Sequence, residues 1–247
     1  MVWPNALVGN ACPTDTPPSY GADSVWNVEL GAKNTLLGGR LRLDSSIFHA
    51  RWRALQTQTP FPDCAFGYTT NAGAAVSNGV DFGAEALLTQ RLKLALTAAY
   101  VDAHYTQTVL LNGAVVVGRG DAIGVLPLVT APWTVTATAD YQFPPGGEFT
   151  IALHAQDTFH SRNPGPFTSD NPDAVVYAPA RRPNPATNQL DLRATASWRS
   201  IDAAVFVNNA LNSQPILQRR SYIASDTLFY ATTLRPRTVG LGVNWRF

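Results

Sequence analysis

The chain has 247 residues with 18 basic and 17 acidic side chains, so a formal charge of +1 and the lack of any Lys/Arg-rich run exclude an electrostatic nucleic-acid binder. Charged residues make up 14%, against about 25% in a typical soluble domain, yet mean hydropathy is only −0.05. That balance fits a β-barrel with lipid on one side and water on the other.

The opening "MVWPNALVGN" has no basic stretch followed by an apolar one and does not read as a signal peptide. No stretch reads as a transmembrane helix. The longest uncharged candidate, 122–139, contains Pro127, Pro132 and several Thr, which suit a loop and a strand better.

From residue 24 onward, apolar residues alternate with polar ones, the signature of half-buried strands. In 25–37, Trp26, Val28, Leu30, Ala32 and Leu36 oppose Asn27, Glu29, Gly31, Lys33 and Thr35. In 40–52 the pattern loses phase, moving from Leu41, Leu43 and Ile47 to Phe48 and Trp52, which predicts a bulge or a strand end. Val80, Phe82, Ala84, Ala86 and Leu88 oppose Asp81, Gly83 and Glu85, and Leu92, Leu94, Leu96, Ala98 and Tyr100 follow. Trp133, Val135, Ala137, Ala139 and Tyr141 alternate with Thr134, Thr136, Thr138, Asp140 and Gln142. Phe149, Ile151, Leu153 and Ala155 form the next face, then Leu190, Leu192, Ala194, Ala196 and Trp198. After a strand at 201–208, the chain closes on Val239, Leu241, Val243 and Trp245 against Gly240, Gly242, Asn244 and Arg246.

The connections alternate as well. Short breaks fall at Gly38–Gly39, near Thr89–Gln90, at 144–147 and at Arg199–Ser200. Between them lie long segments rich in Pro, Gly, Asn and Ser, roughly 57–75, 107–130, 158–187 and 209–235. Soluble domains rarely carry several structureless loops beyond about 15 residues, whereas outer-membrane barrels do so routinely, with tight periplasmic turns and long outer loops. The expected fold is therefore all-β: an antiparallel transmembrane barrel portion of about nine strands over 24–247, with 1–23 as an outer loop segment. Nine antiparallel strands cannot close on themselves, so an open curved sheet is expected in isolation. Tyr141, Phe143, Trp198, Trp245 and Phe247 lie beside the short turns, and Trp26, Trp52, Tyr100 and Trp133 towards the long loops, as two interfacial girdles would require.

Enzymatic and metal chemistry find little purchase. His49, His104, His154 and His160 are scattered, and no nucleophile-elbow, zinc-protease or phosphate-loop motif occurs. Asp121, Asp157, His160 and Ser161 are acid-base types, but spacing alone licenses no catalytic role, and no catalytic, metal or cofactor site is assigned. The Arg-Gly-Asp at 119–121 reads as turn chemistry. Cys12 and Cys64 are too far apart for a zinc signature; buried or free thiols and an outer-loop disulfide both remain open. Loop aromatics suit ligand contact or the packing of loops against each other: Phe61, Phe66, Tyr68, Phe167, Tyr177, Tyr222, Phe229 and Tyr230. Arg181, Arg182, Arg219 and Arg220 suit an anionic ferric chelate or lipopolysaccharide phosphates.

Several segments together resemble the C-terminal part of a TonB-dependent receptor barrel. The resemblance is carried by Glu29, Leu30, Gly31, Ala32 and Lys33; by Gly79, Glu85, Leu94, Tyr100 and Asp102; by Asn208, Asn209, Leu211 and Asn212; and by Pro236, Arg237, Gly240, Gly242 and Phe247, in the family's order. The resemblance implies a Gram-negative outer-membrane location among lipid and lipopolysaccharide, and uptake of a scarce small ligand such as a ferric siderophore. It also implies a C-terminal signal at Trp245 and Phe247 read by the barrel-assembly machinery. The family's barrel has about 22 strands around a plug; neither plug nor TonB-contacting box is legible here, so TonB would act only through the missing plug. The alternatives are a small self-contained barrel with a structural or adhesive role and, more remotely, a lipid-active barrel enzyme.

Overall fold

A computed structural model describes residues 19–60, 67–71, 73–111, 114–123, 131–163, 172, 183–220 and 230–246. Nine strands make one sheet: β1 (Ser24–Leu36), β2 (Leu41–Arg53), β5 (Ala74–Leu87), β6 (Leu92–Tyr105), β9 (Trp133–Gln142), β10 (Phe149–His160), β11 (Thr187–Trp198), β12 (Ile201–Asn208) and β15 (Thr238–Trp245). Their spatial order is their chain order, and every neighbouring pair is antiparallel. β1 and β15 are the edges, so the sheet is open, as expected from the odd strand count. Among the described residues, the only helical piece is a three-residue 3-10 turn, Leu37–Gly39, where Leu37, Gly38 and Gly39 have φ of 53°, 64° and 90°. The two adjacent glycines let the chain take these left-handed values at little steric cost.

Among the described residues, three of the four long connections carry a strand pair of their own. β3 (Gln56–Pro60) pairs with β4 (Gly67–Asn71), β7 (Val109–Leu111) with β8 (Ala114–Val117), and β13 (Gln218–Arg220) with β14 (Tyr230–Thr232). Such ribbons continue the hairpin geometry of the wall beyond the sheet and satisfy backbone groups that an irregular loop would leave to water.

The two faces separate as the alternation requires. On one lie Leu30, Leu241 and Val243, which are 71%, 80% and 75% exposed. Side chains this apolar and this uncovered need a non-aqueous neighbour, so this is the side that a barrel wall would turn to lipid, its convex side. On the other face one row runs Lys33–Asp44–Gly83–Thr97–Thr136–Thr158–Gln189.

Two expectations are corrected. β2 carries no bulge: its pairing with β1 and β5 is continuous from Leu41 to Arg53. Its pattern changes because the polarity of the two faces reverses along an unbroken strand. Leu41, Leu43 and Ile47 give way on the convex face to His49, Arg51 and Arg53, while Phe48, Ala50 and Trp52 occupy the other. Trp52 therefore does not belong to the lipid girdle. It packs against Leu55, Ala75 and Tyr105 on the concave side, and its indole N–H donates to Asp23 Oδ2 at 2.7 Å.

Candidate functional site

The concave wall is the polar face of the sheet, and alternation places its side chains. One row perpendicular to the strands runs Leu87–Lys93–Asp140–His154–Arg193–Phe206–Gly240. His154 Nδ1 lies 2.7 Å from Asp140 Oδ1, and Lys93 Nζ lies 2.9 Å from Glu85 Oε2. Arg193 Nε donates to Thr195 Oγ1 at 3.4 Å. Below this row, Arg246 meets Asp202 Oδ2 at 3.1 Å. These pairs are part-exposed, worth about 0–1 kcal/mol each, so they set the polarity of the wall rather than its stability. A trough of 760 Å³ opens on the same face, lined by Glu29, Lys33, Asp44, Asp81, Thr97 and Thr134 among others.

At the outer end the wall is roofed. Leu55, Ala75 and Tyr105 are buried together, with Trp52, Val109 and Ile123 against them. The chain at 120–123 runs beside β6: Tyr105 N donates to Asp121 O and Ile123 N to Ala103 O, each at 2.9 Å. Asp121 Oδ2 accepts from Gly118 N at 2.6 Å, and Gly120 has φ of 91°. The Arg-Gly-Asp stretch is thus spent on a turn. Burial raises the Asp121 carboxyl above the ordinary aspartate range, against a smaller lowering by the Gly118 amide.

The acid-base residues are not assembled. Asp157 is in register with Ala137 and Leu190 on the convex face, whereas the neighbouring His160 ring contacts Thr134 Oγ1 at 3.2 Å on the opposite face. Ser161 Oγ accepts from Trp133 N, and Asp121 belongs to another loop. Among the described residues no group of three or more His, Cys, Asp or Glu is placed to hold a metal ion.

Of the loop candidates, Tyr68 sits on β4 opposite Thr59, and Arg219 and Arg220 sit on β13, with Arg220 opposite Tyr230 of β14. Phe61, Phe66, Phe167, Tyr177, Arg181, Arg182, Tyr222 and Phe229 lie outside the described residues, as do Cys12, Cys64 and Phe247. Trp245 ends β15 on the convex face, 66% exposed. The Lys93–Asp140–His154–Arg193 row was missed as a unit. Each member occupies an inward slot legible from alternation, but their adjacency depends on the register of four strands.

Comparison with known proteins bears on what such a wall belongs to. The family model for "TonB dependent receptor-like, beta-barrel" matches residues 5–210. A 79-residue stretch is 37% identical to the metal-pseudopaline receptor CntO of Pseudomonas aeruginosa, covering 32% of this chain and 11% of that receptor. The fold is similar to the ferric yersiniabactin uptake receptor FyuA of Yersinia pestis, with a TM-score of 0.65 and 14% identity over 91% of this chain and 30% of that one. It is also similar to the copper transporter OprC, with a TM-score of 0.64 and 12% identity over 91% and 31%. The chain thus matches under a third of the length of these structures, and its 79-residue matched stretch about a ninth of the metal-pseudopaline receptor.

Proposed function

The chain belongs to the TonB-dependent receptor-like β-barrel family, and from that membership we propose that it supplies barrel wall and ligand-facing outer loops to a receptor that takes up a scarce nutrient as a small metal chelate, such as a ferric siderophore. The observation that carries this reading is the two-faced open sheet: uncovered Leu and Val on one side and a charged ladder on the other, in the family of an outer-membrane receptor barrel. Such a sheet is a partition between lipid and a watery lumen. A self-contained barrel fits less well, because β1 and β15 each pair on one side only.

The ligand class is read from the relatives and from the long connections. The relatives are named as a ferric yersiniabactin uptake receptor, a copper transporter and a metal-pseudopaline receptor, and the long connections hold aromatics and arginines suited to an anionic, ring-bearing chelate. The stretch shared with a metal-pseudopaline receptor supports a metal-bearing ligand and leaves the identity of the metal to the titration. We place TonB contact in plug sequence outside these residues, and recognition by the assembly machinery at Trp245 and Phe247.

The test is a fluorescence titration of the full chain, assembled in an outer membrane and extracted in mild detergent. Chelators loaded with iron, copper, nickel or zinc are compared with the same chelators metal-free. Saturable tryptophan quenching by at least one loaded chelate, absent with the metal-free form, is expected. A flat response to every loaded chelate would sink the uptake reading.

A further inference from the structure

The convex face carries a charged patch that chelate uptake does not use, and its height relative to the bilayer can be worked out. Trp26 on β1, Tyr100 on β6, Trp133 on β9 and Phe159 on β10 all point outward near the long-loop ends, and the Tyr100 and Trp133 rings lie 4.9 Å apart. Followed pair by pair, Phe159 is in register with Val135, Ala98, Phe82, Ser45 and Ala32. Ala32 is six residues beyond Trp26, so the aromatic line drops by six residues over five strand steps. A rise of ~3.3 Å per residue and a spacing of ~4.8 Å turn that slope into a strand tilt of ~40°, within the ~35–45° of membrane barrels. The aromatics therefore mark one level, the outer interface.

On that level β2 presents His49 and β5 presents Asn78, between Trp26 and Tyr100. They are bonded to each other, His49 Nδ1 to Asn78 Oδ1, at 2.7 Å. The next convex positions of β2 are Arg51 and Arg53, about 5 Å and 10 Å further out at this tilt. Both are exposed and lie opposite the face that buries Trp52. Among the described residues no carboxylate pairs with either arginine. The acid of this patch, Asp102, lies 3.2 Å from His104, and Asp23 is held by the Trp52 indole on the other side of the wall.

We propose that this patch docks the phosphorylated headgroup of an outer-leaflet glycolipid. Arg51 and Arg53 meet its phosphates, and the His49–Asn78 pair meets its sugar hydroxyls in the gap between Trp26 and Tyr100. The geometry favours a lipid over a free anion for one reason: the cations stand immediately outside the interfacial line, where headgroup phosphates lie, and point away from the lumen. Guanidinium forks match phosphate oxygens bidentately and are weakly hydrated, so this is a low-cost place to leave two unpaired arginines. The inference rests on the outer-membrane reading above but not on any chelate.

The test compares the full chain with Arg51→Gln/Arg53→Gln and with Arg119→Gln/Arg162→Gln, which removes the same charge from outer-loop sites. Each is produced in a Gram-negative outer membrane and extracted in mild detergent, and its co-purifying glycolipid is counted by native mass spectrometry. Protease protection of the strands is scored first. Loss of protection in every form, wild type included, would overturn the membrane reading and this inference with it. With protection intact, the wild type and the loop control should retain glycolipid, and the Arg51/Arg53 variant should retain about tenfold less, the scale of an interfacial arginine hot spot. Glycolipid stripped of its phosphates should fail to bind the wild type, and millimolar inorganic phosphate should leave the complex in place. Equal retention by the Arg51/Arg53 variant, binding of the dephosphorylated lipid, or displacement by inorganic phosphate would each overturn the proposal.

Discussion

Two glycines show how single residues hold the wall's inner surface in shape. The three atoms nearest a Cβ on Gly240 would all belong to the Phe206 ring, at 2.2–2.8 Å, while a Cβ on Gly79 would meet Phe48 ring atoms at 2.2 and 2.3 Å and also Tyr100 O at 2.7 Å. In both pairs an aromatic lies across its directly opposed glycine and shields that backbone from water. A ring can turn away at about 0.5–1.5 kcal/mol, but a backbone carbonyl in a ladder cannot. Gly240→Ala should therefore cost about 1 kcal/mol and Gly79→Ala up to about 3 kcal/mol, read from denaturant unfolding in lipid vesicles. Phe206→Ala should relieve the first penalty, and Phe48→Ala should relieve only part of the second. A larger loss for Gly240→Ala than for Gly79→Ala would contradict this. Asp121 offers a pH prediction. Its carboxyl is raised by burial, so the folded turn takes up a proton more readily than the unfolded chain. Stability of 118–123 is then full below the ordinary aspartate value of 3.8 and falls as pH rises through the higher folded value. Amide exchange at Gly118 and Gly120, corrected for its intrinsic pH dependence, should show protection declining over that range, and Asp121→Asn should flatten the decline.

For an element, β15 is the sharpest case. Val239, Leu241, Val243 and Trp245 lie opposite Val207, Val205, Ala203 and Ile201, and Asn244 lies opposite Asp202, which also pairs with Arg246. Because the side-chain period is two, a slip by one residue would expose that whole polar set to lipid, so the register is strongly specified. Leu241→Arg should cost about 2–4 kcal/mol, because Leu241 faces outward and lies four residues, about 10 Å at a tilt of ~40°, inside the Trp245 girdle, near the middle of an apolar band about 25 Å tall. Asn244→Arg, on the lumen face of the same strand, should stay within about 0.5 kcal/mol of wild type. Unfolding midpoints of the two variants in vesicles check this, and equal losses would mean the faces have been misassigned. β2 gives the complementary lesson, since an unbroken strand can look irregular in sequence when it runs through the interface and out the other side. Arg51 and Arg53 stand on the face that carries Leu41 and Leu43 because lipid has ended there, not because the strand has.

At the scale of the whole molecule, parity governs. β1 and β15 both run from the long-loop side to the short-turn side, since an odd number of antiparallel strands begins and ends in the same direction. Joining them would make one parallel seam, so a fully antiparallel closure needs an odd number of further strands from elsewhere. Until then two rows of backbone groups are unpaired, a costly arrangement in lipid. Hydrogen exchange on the assembled chain alone should show the outer-edge amides of β1 and β15 unprotected and those of β6 and β9 protected by orders of magnitude. Protection at both edges in monomeric chain would refute the open sheet.

The sequence by itself determined the fold class, the strand count, the face of nearly every wall residue and the side of the short turns, because period-two alternation and turn chemistry are local properties that each strand carries alone. It also placed His154, Asn244 and Arg246 facing inward. Only the tertiary structure decided which inward charges become neighbours. The Lys93–Asp140–His154–Arg193 row joins residues up to a hundred positions apart and depends on the register of three strand pairings together. The same holds for the bilayer level that separates Ile47 from Arg51. Strand tilt belongs to the sheet as a whole, and a single strand does not record where along its length the lipid stops.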